Sequence, residues 1–402
     1  MHLMKLLHNS FEKQLPCVHK TRLNNLMKAS ETLIRVNKLS LTALGRNLSD
    51  QNKPRSNIKK MDRLVGNEYL QDETILFYKV MAASLINEGS CPWIHIDWSC
   101  ICSLTKLYFL RASLSMSGRS IVIYEECHPK KNENNHSIHK AFLQRLKSIL
   151  PPSVNPVVVT DAGFRAPWFS EVLKMGWDFV GRLRNKNLVR LDNTYDWQLS
   201  KSLYHGANAR AKNLGYGILT EKHKVPVNFV LYKEKKKNRH KLKQNKTNSK
   251  SGKSKRYAKA HKEPWLLVTS LMASVGVAQE TVKIYRQRMR IEENIRDTKC
   301  TRFGFGLKES RTHSTERMKI LLLIAAIATF ACWIAAMVTR QNGTATDYQA
   351  HSAKFKSVIS NVYLGREALK RGINITVKQF RIFLQLLFDI ANCEKLESFA
   401  CC

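Results

Sequence analysis

Between about residue 92 and residue 183, short apolar runs alternate with segments whose apolar residues recur at helical spacing. Apolar residues at helical spacing predict one helix over about 137–149 and a second from about Pro167 to Met175. The apolar runs predict buried strands over Trp93–Asp97, Leu107–Met116, Ile121–Glu125, Pro156–Asp161 and Trp177–Leu183. Three strands followed by helix, strand, helix and strand indicate an α/β domain.

This order of elements matches a ribonuclease H-like core, and the flanking segments differ from it in pattern. Residues 1–75 are basic with helical periodicity, so we expect an all-helical domain there. The core is assigned to residues 76–345, with a β-rich basic insertion at about 186–272. Residues 346–402 are expected to form a helical C-terminal region and are a candidate for contact between two chains. The predicted fold class is α/β, with a helical region on each side of the core.

One apolar segment is long enough to cross a membrane. Residues 320–338 are 19 residues without a formal charge, and charged residues precede them. A single membrane span is one interpretation. A helix buried on all sides in a large α/β domain is the interpretation that we favour.

The net charge points to a polyanionic partner. The 402 residues contain 67 Lys and Arg against 31 Asp and Glu, a formal net charge of +36. An excess of this size is typical of nucleic-acid binding and argues against an enzyme for small neutral metabolites. Lys233–Lys262 holds fourteen of the basic residues and one Glu, so 36 − 13 = +23 remains elsewhere. This segment is predicted to be a loosely ordered loop, either a clamp on phosphates or a solvated tail.

Cysteine usage indicates the compartment. The ten cysteines lack the spacing of a zinc site or a disulfide framework, and the N-terminus does not resemble a secretory leader. We therefore expect reduced thiols in a cytoplasmic, nucleoid-associated protein without a membrane partner.

Two short helices are predicted near the N-terminus. Leu39–Leu48 has an apolar stripe, and Ile58–Val65 follows with Lys59, Lys60 and Arg63 around its polar side. This arrangement is typical of helix-turn-helix modules that place a helix in the major groove. A small solvated helical bundle has the same pattern.

Two carboxylates follow predicted strands. Asp97 and Asp161 each end an apolar run, and in open α/β sheets ligand sites gather at the carboxyl ends of strands. Two close carboxylates are costly unless a cation neutralises them. Oxygen ligands without Cys or His favour Mg²⁺ or Mn²⁺ over zinc. Taken singly, either Asp could also be a helix cap or a turn residue.

A further set of polar residues shares a predicted helix over Glu280–Lys299. Tyr285, Arg288, Glu292 and Lys299 fall within about 60° of arc at 100° per residue. Such a face suits a phosphodiester: Glu292 would complete the metal site, while Arg288 and Lys299 hold phosphates. A solvated charged face is the alternative, and Glu293, about 100° away, is the rival ligand.

These residues belong to a pattern of short segments spread over nearly the whole chain. The most specific segment is Tyr285-x2-Arg288-x3-Glu292-x6-Lys299. The others are Leu41-Thr-Ala-Leu-Gly-Arg46, Ile58-Lys-Lys-Met-Asp-Arg-Leu64, Ile96-Asp-Trp-Ser99, Leu110-Arg-Ala-Ser113, Thr160-Asp-Ala-Gly-Phe164 and Lys262-Glu-Pro-Trp265. Together they resemble the bacterial cut-and-paste transposases of the insertion sequence four family, most closely its insertion sequence ten branch.

The resemblance implies a mechanism. Asp97, Asp161 and Glu292 would form a DDE triad that binds two Mg²⁺ ions, with Mn²⁺ as a substitute. The family nicks the transposon end, closes and reopens a DNA hairpin, and joins the 3′ end to target DNA. Trp265 matches the tryptophan on which a flipped base stacks; a core tryptophan at a strand start is the alternative.

The resemblance also implies partners. Tyr285 and Arg288 would position phosphates beside the hairpin, and Lys299 would contact the terminal nucleotides. Arg182 and Arg184 complete the expected DNA-binding set, and two chains are expected to pair two DNA ends in a synaptic complex. A catalytically silent DNA-binding protein or repressor is the alternative function, since it needs the basic surface but not the three acids.

Overall fold

The computed structural model describes residues 1–102, 105–116, 118–184, 187–234, 251–252, 254, 263–353 and 358–393. The chain divides into two compact units. The first unit contains Met1–Asn155 and Met289–Cys402, and the second contains Pro156–Arg288. Most of the basic segment Lys233–Lys262 lies outside the described residues, so its expected looseness stays a prediction.

The first unit begins with helices, as the sequence predicts. They are α1 (His2–Gln14), α2 (Lys20–Val36), α3 (Leu41–Arg46), α4 (Pro54–Val65) and α5 (Glu68–Ala83). Side-chain caps start three of them, because His19 accepts a hydrogen bond from the Thr21 N–H, Ser40 accepts one from the Ala43 N–H and Asn67 accepts one from the Leu70 N–H. Gly45 allows α3 to approach α4 closely, since a Cβ there would lie 2.5 Å from the Ile58 Cα.

A three-stranded antiparallel sheet follows in the first unit. Its strands are β1 (Trp93–Cys102), β2 (Leu107–Met116) and β3 (Arg119–Pro129), and β2 lies between the other two. Helix α6 (His136–Ile149) contacts β3 and α5. The register places Arg111 of β2 opposite both Asp97 of β1 and Glu125 of β3. These three side chains therefore lie on one face of the sheet.

The opposite face carries a buried histidine on α6. The Trp98 indole N–H donates to the Nε2 of His139 at 2.9 Å, and His139 is only 4% exposed. Burial lowers the pKa of His139 to about 4. The imidazole therefore stays neutral in the fold at pH values where an unfolded histidine, with a pKa of about 6.5, takes up a proton.

Acidification should therefore destabilise the first unit through His139. The folded pKa lies below the unfolded value, so stability is lost as the pH falls from about 6.5 toward 4. The loss at pH 5 should be about 2 kcal/mol. In His139→Gln the amide oxygen can still accept the Trp98 N–H but cannot titrate, so urea unfolding should show a smaller drop between pH 7 and pH 5. Equal drops in both proteins would contradict the assignment.

The second unit contains a mixed sheet. Its strands are β4 (Val157–Thr160), β5 (Asp178–Leu183), β6 (Leu188–Leu191), β7 (Gln198–Leu199), β8 (Lys212–Leu219), β9 (Val225–Tyr232) and β10 (Trp265–Thr269). They lie in the order β4-β5-β10-β9-β8-β6-β7, with β4 and β5 parallel. Helices α7 (Ala166–Lys174) and α8 (Val277–Arg286) complete the unit. The strands of the predicted insertion therefore extend the sheet of β5 through β10.

The chain returns to the first unit with further α-helices. They are α9 (Met289–Lys299), α10 (Thr315–Gln341), α11 (Asn361–Lys370) and α12 (Val377–Cys393). Helix α9 contacts all three strands of the first unit's sheet. Helix α10 contacts α2, α5, α11, α12 and β3.

Helix α10 contains the apolar segment that could span a membrane. By length and composition the helix could cross a membrane, since the mean hydropathy of its most apolar 18 residues is 2.5. Those residues are nevertheless 100% buried inside the protein. Gly365 of α11 permits close packing on it, since a Cβ there would lie 1.8 Å from the Cys332 carbonyl oxygen. The environment is that of the core helix expected from the sequence.

Candidate active site

Asp97 lies in the middle of β1 and is half-buried. The sequence predicts that the strand ends at this residue, and this prediction is wrong. The antiparallel ladder continues past it, with Ser99 opposite Phe109 and Cys100 opposite Tyr108. Polar residues at alternate positions can continue a strand when their side chains face a packed helix or solvent. Asp97 and Ser99 consequently point to the same face of the sheet.

Glu292 lies in the first turn of α9 and is exposed. Its neighbour Glu293, the rival ligand, forms an ion pair with Arg119 of β3. Arg119 also binds Asp297 at 3.1 Å. The packing of α9 therefore commits Glu293 to a structural pair. An open pocket of about 500 Å³ is lined by Glu292, Arg296, Lys299 and Lys308, among others.

Lys299, at the last turn of α9, reaches the strand that carries Asp97. Its ammonium donates to the Ser99 hydroxyl at 2.5 Å and lies 5.3 Å from the centre of the Phe109 ring. Burial lowers the pKa of Lys299 to about 8, the nearby Arg111 acts in the same direction, and Asp97 opposes them. The first unit thus brings Lys299 close to Asp97.

In the second unit, Asp161 directly follows the buried strand β4 and is half-buried. Its Oδ1 accepts a hydrogen bond from the Gly163 N–H at 2.8 Å. A Cβ at Gly163 would lie 2.9 Å from that oxygen, so the turn needs glycine. Among the described residues, Oδ2 of Asp161 accepts no hydrogen bond, which leaves one oxygen for a cation.

Tyr285, Trp265 and Arg288 lie together in the second unit. The Trp265 ring is half-buried and packs edge-on against Tyr285, with ring centres 5.0 Å apart. The Arg288 guanidinium lies 5.8 Å from the Tyr285 ring centre. Burial raises the pKa of Tyr285; Arg288 and Arg182 oppose this, while the charge of Asp161 adds to it. The charges of Arg288, Arg182 and Asp161 therefore all act on the Tyr285 hydroxyl.

Arg182 and Arg184 are held by an acid that sequence reasoning missed. Arg184 Nε lies 3.2 Å from Glu263, Arg182 lies 3.9 Å from the same carboxylate, and the Tyr204 hydroxyl donates to it at 3.4 Å. Glu263 belongs to the matched segment Lys262-Glu-Pro-Trp265, which is the signal that could have identified it.

The four residues predicted to share one helix face do not lie on one helix: Tyr285 is on α8, Arg288 is in the turn that follows, and Glu292 and Lys299 are on α9. Helix α8 ends at Arg286, and the Gln287 and Arg288 N–H groups bond the carbonyls three residues back, those of Ile284 and Tyr285. Helix α9 starts at Met289. The single helix over Glu280–Lys299 is therefore wrong, because a tight turn interrupts it. Tyr285 and Arg288 belong to the second unit, and Glu292 and Lys299 to the first.

The basic residues of α4 are not equivalent. Lys59 and Arg63 are exposed, as contact with DNA requires. Lys60 binds Asp50 at 2.6 Å, and Asp50 also binds Lys28 at 2.7 Å. The charge of Lys60 is therefore partly neutralised within the fold.

The three acids are oxygen donors suited to a hard divalent cation such as Mg²⁺. Asp97 and Glu292 belong to the first unit and Asp161 to the second. The described residues contain no group of three His, Cys, Asp or Glu side chains placed together to hold a metal ion.

Comparison with known proteins identifies the family. The profile of the transposase DDE domain matches residues 106–330, more than half of the chain. The match includes Asp161 and Glu292 and begins after Asp97. A search of curated proteins found no match. The mixed α/β architecture is consistent with a ribonuclease H-like transposase domain, and the family implies DNA as a partner. The chain belongs to the transposases that carry a DDE domain.

Proposed function

We propose that this chain is a cut-and-paste transposase of the insertion sequence four type. It binds the terminal inverted repeats of its element, cleaves through a DNA hairpin and joins the 3′ ends to target DNA. The carrying observation is that α9, which bears Glu292, is hydrogen-bonded through Lys299 onto the strand that bears Asp97. The family match independently covers Glu292 and Asp161.

Asp97, Asp161 and Glu292 are the proposed ligands of two Mg²⁺ ions. When bound, such ions stabilise the attacking and leaving oxygens of a phosphodiester. Glu292 is exposed in the first turn of α9, whereas Glu293 forms an ion pair with Arg119. The Gly163 N–H donates to Oδ1 of Asp161, and this hydrogen bond fixes the orientation of the carboxylate.

The cationic and aromatic residues hold the DNA in this proposal. Arg288 and Lys299 neutralise phosphates, and Lys59 and Arg63 contact the transposon end. Trp265 is half-buried and already packs edge-on against Tyr285, so an unstacked base would meet an aromatic surface. Two copies of the chain would each bind one end, because both ends must be cut before insertion.

The proposal is tested by incubating the purified protein with its element's end DNA and Mg²⁺. Nicked ends and hairpin ends on a denaturing gel are expected. A mobility shift without any cleavage would indicate the catalytically silent DNA-binding protein instead. A non-specific DNA of equal length serves as the control, since a transposase should cut only at the element's end.

The basic segment Lys233–Lys262 should contribute to the salt dependence of binding. It carries a net charge of +13. If it makes four phosphate contacts, deleting it should reduce the log–log slope of affinity against salt by about 3–4. Filter binding at several salt concentrations measures this slope. An unchanged slope would assign the segment to a solvated tail.

A further inference from the structure

Arg111 is the most deeply buried cation that contacts α9, and neither the family match nor the charge pattern assigns it a role. It is 1% exposed and lies opposite Asp97 on β1 and Glu125 on β3. Its Nε and Nη2 donate to Oε2 of Glu125 at 2.8 and 2.6 Å. The Tyr78 hydroxyl donates to the other carboxylate oxygen at 3.3 Å.

The remaining nitrogen of Arg111 reaches the helix that carries Glu292. Nη1 donates to Oδ1 of Asn294 at 2.6 Å and to the Thr298 hydroxyl at 2.9 Å. The Asn294 amide in turn donates to the Ser120 carbonyl oxygen at 3.0 Å. Asn294 and Thr298 are four residues apart, one turn of α9 on a single face. Contacts at two successive turns restrict both rotation of the helix about its axis and sliding along it.

Rotation of α9 about its axis would displace Glu292 together with the buried face of the helix. In helical projection Glu292 lies about 160–200° from Asn294 and beside Lys299. It is therefore on the side of the helix away from the Arg111 clamp, by which we mean the contacts of Arg111 with Glu125, Asn294 and Thr298. A rotation of the helix that broke the Arg111 contacts would move Glu292 and also disturb the Lys299–Ser99 hydrogen bond. The position of Glu292 relative to Asp97 thus depends on a residue that touches neither carboxylate through a described hydrogen bond.

Stability alone is a weak reason for a buried ion pair here. Replacing such a pair with apolar residues of similar volume is often neutral or stabilising, because desolvation offsets the attraction between the charges. The planar guanidinium of Arg111, which joins two strands to α9 through its N–H groups, instead specifies how the helix is oriented on the sheet. The same logic applies to residues that orient metal ligands in other sites.

We propose that Arg111 is a positioning residue for DNA cleavage: together with Glu125 it fixes α9 on the sheet and thereby places Glu292 relative to Asp97. The inference rests on the proposed function, since it concerns the ligands of that site. It predicts that the Arg111 clamp controls metal affinity, which a residue needed only for folding would not.

The test uses the full-length protein in complex with end DNA. The double variant Arg111→Met, Glu125→Leu removes both charges, so no uncompensated charge remains in the core. The matched control is Arg145→Met, Glu126→Leu, which removes the neighbouring ion pair on the other face of β3. Mn²⁺ binding is followed by electron paramagnetic resonance, cleavage by single-turnover nicking, and folding by thermal unfolding. Asp97→Ala defines the signal of a protein without the site.

The Arg111 double variant should fold and bind end DNA, yet bind Mn²⁺ about 10-fold more weakly and nick DNA about 10–100-fold more slowly. The control variant should match the wild type in both measurements. Should the double variant fail to fold, Asn294→Ala, Thr298→Ala leaves the ion pair intact and should show the same loss of Mn²⁺ affinity. Wild-type Mn²⁺ affinity in a folded clamp variant would overturn the inference. Absence of cleavage by the wild-type protein would instead overturn the proposed function.

Discussion

Asp97→Ala is expected to abolish strand cleavage and to leave binding to end DNA intact. Asp97 is half-buried on a strand whose ladder continues on both sides, so its removal should not unfold β1. Loss of a proposed metal ligand should slow nicking by more than about 10³-fold, since even one hydrogen-bond donor to a transition state contributes about 10²–10³-fold. Nicking on labelled end DNA and a mobility-shift assay measure the two properties.

The matched control for this variant is Asp192→Ala. Asp192 is exposed after β6 in the second unit, so the substitution changes the net charge equally without touching the proposed site. It should cut like the wild type. If Asp97→Ala still nicks end DNA in Mg²⁺, the assignment of the triad is wrong; if it no longer binds the end, Asp97 has a structural or DNA-binding role.

The second large effect concerns stability. Ala331→Glu is expected to prevent folding, because Ala331 is 0% exposed in the middle of α10. An unpaired carboxyl group buried there should cost more than about 4 kcal/mol, a large part of the stability of an ordinary domain. Expression yield and urea unfolding measure this loss.

Gln341→Glu is the control at the exposed end of the same helix. It introduces the same charge where water can solvate it, and its stability should lie within about 0.5 kcal/mol of the wild type. An Ala331→Glu protein with wild-type stability would mean that α10 is not packed as described and would reopen its assignment as a membrane span.

Local patterns predicted the elements well where burial is continuous. Strand β2 was predicted over Leu107–Met116 and has these bounds, and α6 differs by about one residue from its prediction. The apolar segment within α10 was predicted to be a buried helix because it lacks a polar face. The boundaries of three domains and the roles of Trp265, Arg182 and Arg184 stay predictions.

The errors lie where local pattern carries no signal. Neither Pro nor Gly marks the turn at Gln287–Arg288, so periodicity continued the predicted helix through it. Asp97 interrupts an apolar run, yet β1 continues because β2 offers partners to Ser99 and Cys100. In both cases backbone hydrogen bonds decided the structure, and the partners of β1 lie on another strand, outside a local sequence window.

The sequence by itself therefore determined the element types, the polyanionic partner and the three acids proposed to cut DNA. Only the tertiary structure decided how these acids are supported: Glu293 is committed to Arg119, Lys299 reaches Ser99, and Arg111 joins the sheet to α9. The physical reason is distance along the chain. Periodicity reports which side of an element is buried, whereas the partner of Arg111 on α9 lies 183 residues away and is set by packing.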